Sequence, residues 1–126
     1  MVALSLALVL TMGMTLTVSA ASVSDSGEDG SIKYTTHLTT FENTVAIPNT
    51  GYARGSMDAY DEEPSAPSIF TRVYIDMYNM YGSSTTFSKY GYGGCTLTTS
   101  SISYPARAVG RYWIEGHEVD TNTLLY

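Results

Sequence analysis

The segment Trp113-Ile114-Glu115-Gly116-His117-Glu118 places Glu115 and His117 two residues apart. On an extended strand that spacing puts both side chains on one face. His37 is the only other histidine. A His37/Glu115/His117 set could hold zinc, which wants three converging ligands, or move a proton in a small hydrolase. Neither H-E-x-x-H nor G-x-S-x-G occurs, and the serines are too numerous to nominate a nucleophile. The plainer reading is a pair of histidines on an exposed strand face.

A second candidate is acidic. Asp58, Asp61, Glu62 and Glu63 put four carboxylates within six residues. Hard oxygen ligands suit calcium, but an acidic run beside prolines is also an ordinary solvated loop. Asp25-Ser26-Gly27-Glu28-Asp29-Gly30 begins like a calcium loop. It has Gly27 at the third position and Thr36 at the twelfth, where a bidentate Glu is needed. Cys95 is the sole cysteine, in Gly93-Gly94-Cys95-Thr96-Leu97, and a buried inert thiol is expected there rather than a nucleophile. No cofactor motif is present and no cofactor is expected. A paired-carboxylate glycosidase would need a cleft that so small a domain hardly offers.

The remaining candidates are tyrosines and arginines. Tyr52, Arg54 and Tyr60 share one parity, and Arg72, Tyr74, Tyr78 and Met80 share another. Tyr with Arg is the composition of binding surfaces, because a tyrosine offers a large contact area at low entropic cost. Its ring also stacks on sugars. The competing role for each ring is core packing or a cross-strand pair.

The elements that must position these residues are strands. Tyrosine supplies 11 of the 15 aromatic residues, and Gln is absent. Aromatic and β-branched side chains fit a pleated, half-buried surface. Alternation is clear in Ile32–Leu38, in Tyr52–Tyr60, and above all in Ile69, Thr71, Val73, Ile75 and Met77. Short strands are predicted near Thr44–Ile47, over Thr85–Tyr92 and over Cys95–Ser103, and a last one over Ala106–Val119. The series Ala53, Gly55, Met57, Ala59 and Ala106, Ala108, Gly110, Tyr112 predict two strands whose small residues let a facing sheet approach closely. About seven strands with turn signals between them predict an all-β fold: a small antiparallel β-sandwich, with a small β-barrel as the alternative.

Met1 to Ala20 carries no charge, is rich in Leu and Val, and ends in small-x-small at Val18-Ser19-Ala20. It is expected to be a signal peptide, residues 1–20, cleaved to release a secreted protein. No positive residue precedes Lys33, and a retained stretch of about 20 uncharged residues would instead anchor the chain in a membrane. Residues 21–31 read as a flexible acidic leader, and residues 32–126 as a single β-sandwich domain. A lone cysteine excludes an internal disulfide. The combination suits an exported Gram-positive bacterial protein.

Net charge is −6, and the six basic residues are scattered singly. Nucleic-acid binding needs concentrated positive charge, so no nucleic-acid partner is expected. Membrane contact is expected only if the N-terminal segment is retained as an anchor. These observations predict a secreted or cell-surface, non-catalytic binding or structural protein with a protein or glycan partner. The competing readings are a small secreted hydrolase or metal-dependent enzyme built on His117, Glu115 and His37, and a bacteriocin- or toxin-like protein.

Overall fold

Alternating burial runs through the strongest strand: Thr71, Val73, Ile75 and Met77 are inaccessible, while Arg72, Tyr74, Asp76 and Tyr78 are only partly covered. That period of two is the signature of a strand with one face in a core. A computed structural model describes residues 18–62 and 68–126. Among the described residues there are nine strands and no helix. They are β1 (Val18–Asp29), β2 (Ile32–Asn43), β3 (Thr50–Asp61), β4 (Phe70–Asn79), β5 (Ser84–Tyr92), β6 (Gly94–Thr98), β7 (Ile102–Ser103), β8 (Pro105–Ile114) and β9 (His117–Leu125).

The strands form two antiparallel sheets. The first has the order β1-β2-β3-β6, with β7 also paired to β3, and the second the order β5-β4-β8-β9. The arrangement is that of a β-sandwich rather than a single closed barrel. Its core joins Leu38, Ala53 and Met57 of the first sheet to Val73, Ile75, Met77, Tyr112 and Ile114 of the second. Ala53, Gly55, Met57 and Ala59 all face inward, as do Ala108, Gly110 and Tyr112. Ala106 is only partly covered. A Cβ placed on Gly55 would lie 3.0 Å from Ile75 Cδ1 and 3.1 Å from Val73 Cγ1, so the bare backbone of β3 sits directly against β4.

Several sequence expectations are corrected. Nine strands replace about seven. Residues 21–29, expected as part of a flexible leader, belong to β1, which pairs with β2 along its whole length, from Val18 opposite Asn43 to Asp29 opposite Ile32. Ladder hydrogen bonds are made by backbone and so need no apolar sequence. Among the described side chains of β1 only Val23 packs on the core, so the strand shows no apolar alternation. Residues 1–17 of the expected signal peptide lie outside the described residues, and 18–20 begin β1. Thr44–Ile47 is a loop, not a strand. Cys95–Ser103 divides into β6 and β7. The long last strand is two: Glu115 (φ 48°) and Gly116 (φ 85°) form a two-residue turn between Ile114 and His117. Positive φ at both central residues matches the right-handed twist of the flanking strands.

The sandwich has two chemically different ends. At one, the β1–β2 turn, the segment after β3, and the β8–β9 turn gather Glu28, Asp29, Asp61, Glu62 and Glu115. Lys33 Nζ reaches Glu62 there at 2.5 Å. At the other end lie the start of β1, the β2–β3 and β4–β5 connections and the β6–β8 segment.

Three tyrosines are held in this frame. Tyr34 donates to the carbonyl of Val119, Tyr112 lies 3.0 Å from both His37 O and Asn122 Oδ1, and Tyr126 donates to the carbonyl of Tyr52. Burial, before the neighbouring carboxylates, raises all three phenols above their ordinary value of 10.0. The unfolded chain therefore ionises first. Stability is full below pH 10 and declines as pH rises further. A thermal melt followed across alkaline pH should show this loss, with Tyr112→Phe and Tyr126→Phe each flattening the slope; an unchanged slope would refute the assignment.

Candidate functional site

Strands β5, β4 and β8 carry their second parity outward, and that parity is aromatic and cationic. Tyr90, Arg72 and Trp113 are cross-strand neighbours, as are Tyr92 and Phe70, Tyr74 and Arg111, and Tyr78 and Arg107. The Arg72 guanidinium carbon lies 6.0 Å from the Phe70 ring centre, 5.7 Å from Tyr74 and 5.9 Å from Tyr90. Its Nη1 donates to Tyr74 Oη at 3.0 Å. Arg111 lies 4.7 Å over Tyr74, and Arg107 4.1 Å over Tyr78. Tyr74 meets Trp113 edge-on at 6.0 Å, and Phe70 meets Tyr92 edge-on at 5.7 Å. Each cation over a ring contributes about 0.5–1 kcal/mol at an exposed site. The set is six rings and three arginines on one outward face, with the Tyr78–Arg107 pair separated from the rest by the row of Asp76 and Val109.

Electrostatics divides the patch. Arg111 is neutralised by a two-point pair with Asp76, Nε to Oδ2 at 2.8 Å and Nη2 to Oδ1 at 3.3 Å. Thr86 donates to the same Asp76 Oδ1 at 2.6 Å. Among the described residues no carboxylate pairs with Arg72 or Arg107. Three of the six basic residues thus share one face of a chain whose net charge is −6. Arg72 Nε and Trp113 Nε1 are both covered and have no hydrogen-bond partner among the described residues. A covered N–H left unpaired costs about 1–3 kcal/mol. The two donors are cross-strand neighbours on β4 and β8, beneath the outward face.

The six tyrosines and arginines singled out from the sequence are not brought together. Arg72, Tyr74 and Tyr78 lie on this patch. Tyr52, Arg54 and Tyr60 lie on the outward face of the other sheet, on the far side of the sandwich. There Tyr52 stacks on Phe41 at 4.6 Å, and Arg54 spans Phe41 and Thr98. Tyr60 stands opposite Lys33, eight residues along β3 from Tyr52, or roughly 26 Å. It borders an open hollow of about 370 Å³ with Glu28 and Lys33.

The enzyme candidates are separated as well. His37 Nδ1 is hydrogen-bonded to Ser24 at 2.5 Å, and His117 Nε2 to Asp29 at 2.7 Å. Asp29 pairs with Ile32, five residues from His37 along β2, or roughly 17 Å. Glu115 sits in the turn and accepts from the Phe70 amide at 2.9 Å. The turn removes Glu115 and His117 from a common strand face. Of the acidic group, Asp58 points outward from β3 while Asp61 has the opposite parity and accepts from Ser31 at 3.1 Å. Glu62 pairs with Lys33, and Glu63 lies outside the described residues. Among the described residues no three His, Cys, Asp or Glu side chains converge on a metal position.

Cys95 is half-buried, with Sγ 3.7 Å from the carbonyl of Lys89. Burial pushes its thiol up, lowering the thiolate fraction at neutral pH. Alkylation by iodoacetamide at pH 7 should be slower in the folded protein than in urea; equal rates would contradict a covered thiol.

Phe70, Tyr90, Tyr92, Trp113, Arg107 and Arg111 complete the patch but were not singled out as binding residues from the sequence. The signal was present as outward parity on three strands, but strand order was needed to join them. No family model matches the chain, and neither the curated proteins nor the solved structures give a match.

Proposed function

We propose that this is a secreted or cell-surface, non-catalytic binding protein whose binding surface is the outward face of the β5-β4-β8 strands, and that its partner is a glycan. The observation that carries the reading is the outward face itself, where Tyr90 and Tyr92 are exposed and Arg72 and Arg107 lie over aromatic rings with no carboxylate partner among the described residues. Aromatic faces suit the C–H faces of sugars. Arginine N–H groups suit their hydroxyls and carboxylates. The uncompensated charge of Arg72 and Arg107 favours a glycan bearing acidic groups.

Retention of the protein on immobilised polysaccharides tests this, with neutral and uronate-containing polymers compared side by side. Binding should be strongest on the acidic polymers. Tyr90→Ala and Arg72→Ala should each weaken it about tenfold or more, the scale of a central contact residue. Tyr60→Ala, on the opposite sheet, should leave it unchanged. No retention on any polymer, or equal loss with Tyr60→Ala, would sink the proposal. Capture of a protein partner through the same residues would redirect it to the alternative occupant.

A further inference from the structure

A different surface, at the end of the sandwich away from the acidic turns, is built from connections that carry no charged side chain. Three connections meet there. They are residues 43–50 between β2 and β3, residues 79–84 between β4 and β5, and residues 99–104 leading to β8. None contains Asp, Glu, Lys, Arg or His. They are held as one unit by Tyr104, whose N–H donates to the carbonyl of Asn49 at 2.9 Å and whose carbonyl accepts from Met80 at 2.8 Å. Tyr104 adopts φ 53°, a left-handed conformation that few aromatic residues take. Its ring meets Tyr81 edge-on at 5.6 Å.

The side chains this unit presents are large and exposed. Ile47 is 99 % accessible, Tyr81 76 % and Met80 68 %, with Val45 and Tyr104 also exposed. Single exposed apolar residues are common on soluble proteins; five on three adjoining uncharged connections are not. Glu42, which accepts from Asn49, and Arg107, stacked on Tyr78, flank the unit without entering it.

The chain itself indicates what covers this end. It enters the fold at Val18, opposite Asn43, the residue at which the first of the three connections begins. The 17 residues before Val18 carry no charge and are mostly apolar. They therefore join the sandwich at the apolar end and not at the acidic one. At the start of β1 is a hollow of about 220 Å³ lined by Ala20, Ala21 and Leu125 together with Ser19, Thr40 and the flanking Glu42.

We infer that this end docks on a lipid bilayer, with Ile47, Met80 and Tyr81 entering the interface beside the point where the N-terminal segment joins the fold. Isoleucine and methionine supply apolar area to the acyl boundary, and tyrosine is favoured at the headgroup level. The match in charge is to a neutral surface. The three connections offer no Lys or Arg to an anionic headgroup, Arg107 standing beside them on the sheet face, and the acidic turns are held at the far end, roughly 40 Å away along a 12-residue strand. Both sheet faces, including the aromatic patch, then stand free above the membrane. This inference is independent of what that patch binds.

The test uses the full chain with phosphatidylcholine vesicles. Ile47→Trp and Met80→Trp place a reporter on the end, read as the difference from the parent protein, whose single Trp113 lies toward the acidic end of β8. Both reporters should shift to the blue on mixing with vesicles and be quenched by brominated acyl chains, in high salt as in low. Ile47→Ser with Met80→Ser should reduce partitioning about tenfold, while adding anionic lipid should not increase it. Ile47 is so exposed that its replacement does not threaten the fold. Reporters that stay water-exposed while the protein binds vesicles would show that the N-terminal segment alone makes the contact, and would overturn the inference. So would the absence of binding to any vesicle, or capture of the reporters by a protein instead of lipid.

Discussion

Tyr112→Ala is expected to lower the unfolding free energy by about 3–5 kcal/mol, the range for deleting a buried aromatic ring. Tyr112 is wholly inaccessible and is the largest fully buried side chain of the core. It stands on β8, in the second sheet, and its hydroxyl reaches the carbonyl of His37 in the first. The ring therefore fills space between the sheets, and its polar tip links them. Asn122 Oδ1 is also 3.0 Å from that hydroxyl, and Thr36, which donates to Asp120 at 2.6 Å, extends the polar cluster. Tyr112→Phe keeps the ring and removes the link, taking away the one O–H proton that His37 O and Asn122 Oδ1 share, at a cost of about 1–3 kcal/mol. Urea unfolding separates the two. Both variants should shift the midpoint with little change in slope, Ala by more than Phe. A domain of this size has about 5–15 kcal/mol in total, so the alanine variant removes a large share. A midpoint unchanged in the alanine variant would mean that the inter-sheet packing is not as described.

Gly55→Leu is expected to destabilise as well, for the opposite reason. Here the fault is excess volume. A Cβ at this position already meets Ile75 Cδ1 at 3.0 Å and Val73 Cγ1 at 3.1 Å, so a leucine has no room between β3 and β4. Overpacking a closed core costs about 1–3 kcal/mol and occasionally more. Gly55→Ala offers a graded control. The two contacts are to ends of side chains, which can yield by a few tenths of an ångström, so its cost should be smaller than that of leucine. A thermal melt of the three proteins should order them Gly, Ala, Leu. Equal stability of glycine and leucine would show that the sheets are separated at this point.

The same residue marks what local pattern could and could not show. Ala53, Gly55, Met57 and Ala59 were legible as a core face, and so was the inward face of β4, because a strand's side chains alternate with a period of two whatever lies around it. The close approach of two sheets was also legible from small residues at that period. The turn at Glu115–Gly116 was not, because alternation from Ala106 to Val119 continues in phase through the turn until the chain has already reversed. β1 was not legible because its pairing is made by backbone, while its side chains are mostly small and polar.

The candidate site was legible only by halves. Arg72, Tyr74 and Tyr78 could be read as one outward face of one strand. Phe70 belongs to that face too, and Tyr90, Tyr92, Trp113, Arg107 and Arg111 join it only through the order β5-β4-β8, which brings together residues about 15–40 positions apart. Tyr52, Arg54 and Tyr60, of equal merit in composition, fall on the opposite side of the molecule for the same reason.

By itself, then, the sequence determined that the chain folds as strands, which side of β3 and β4 is core, that no disulfide closes within it, and that its charge is acidic and sparse. These follow from residue type and local spacing. Tertiary structure alone decided which tyrosines share a face, that His37 and His117 stay apart, and that the uncharged loops gather at the end where the chain enters. Those depend on strand pairing, and the hydrogen bonds that pair strands are made by a backbone common to every residue except proline.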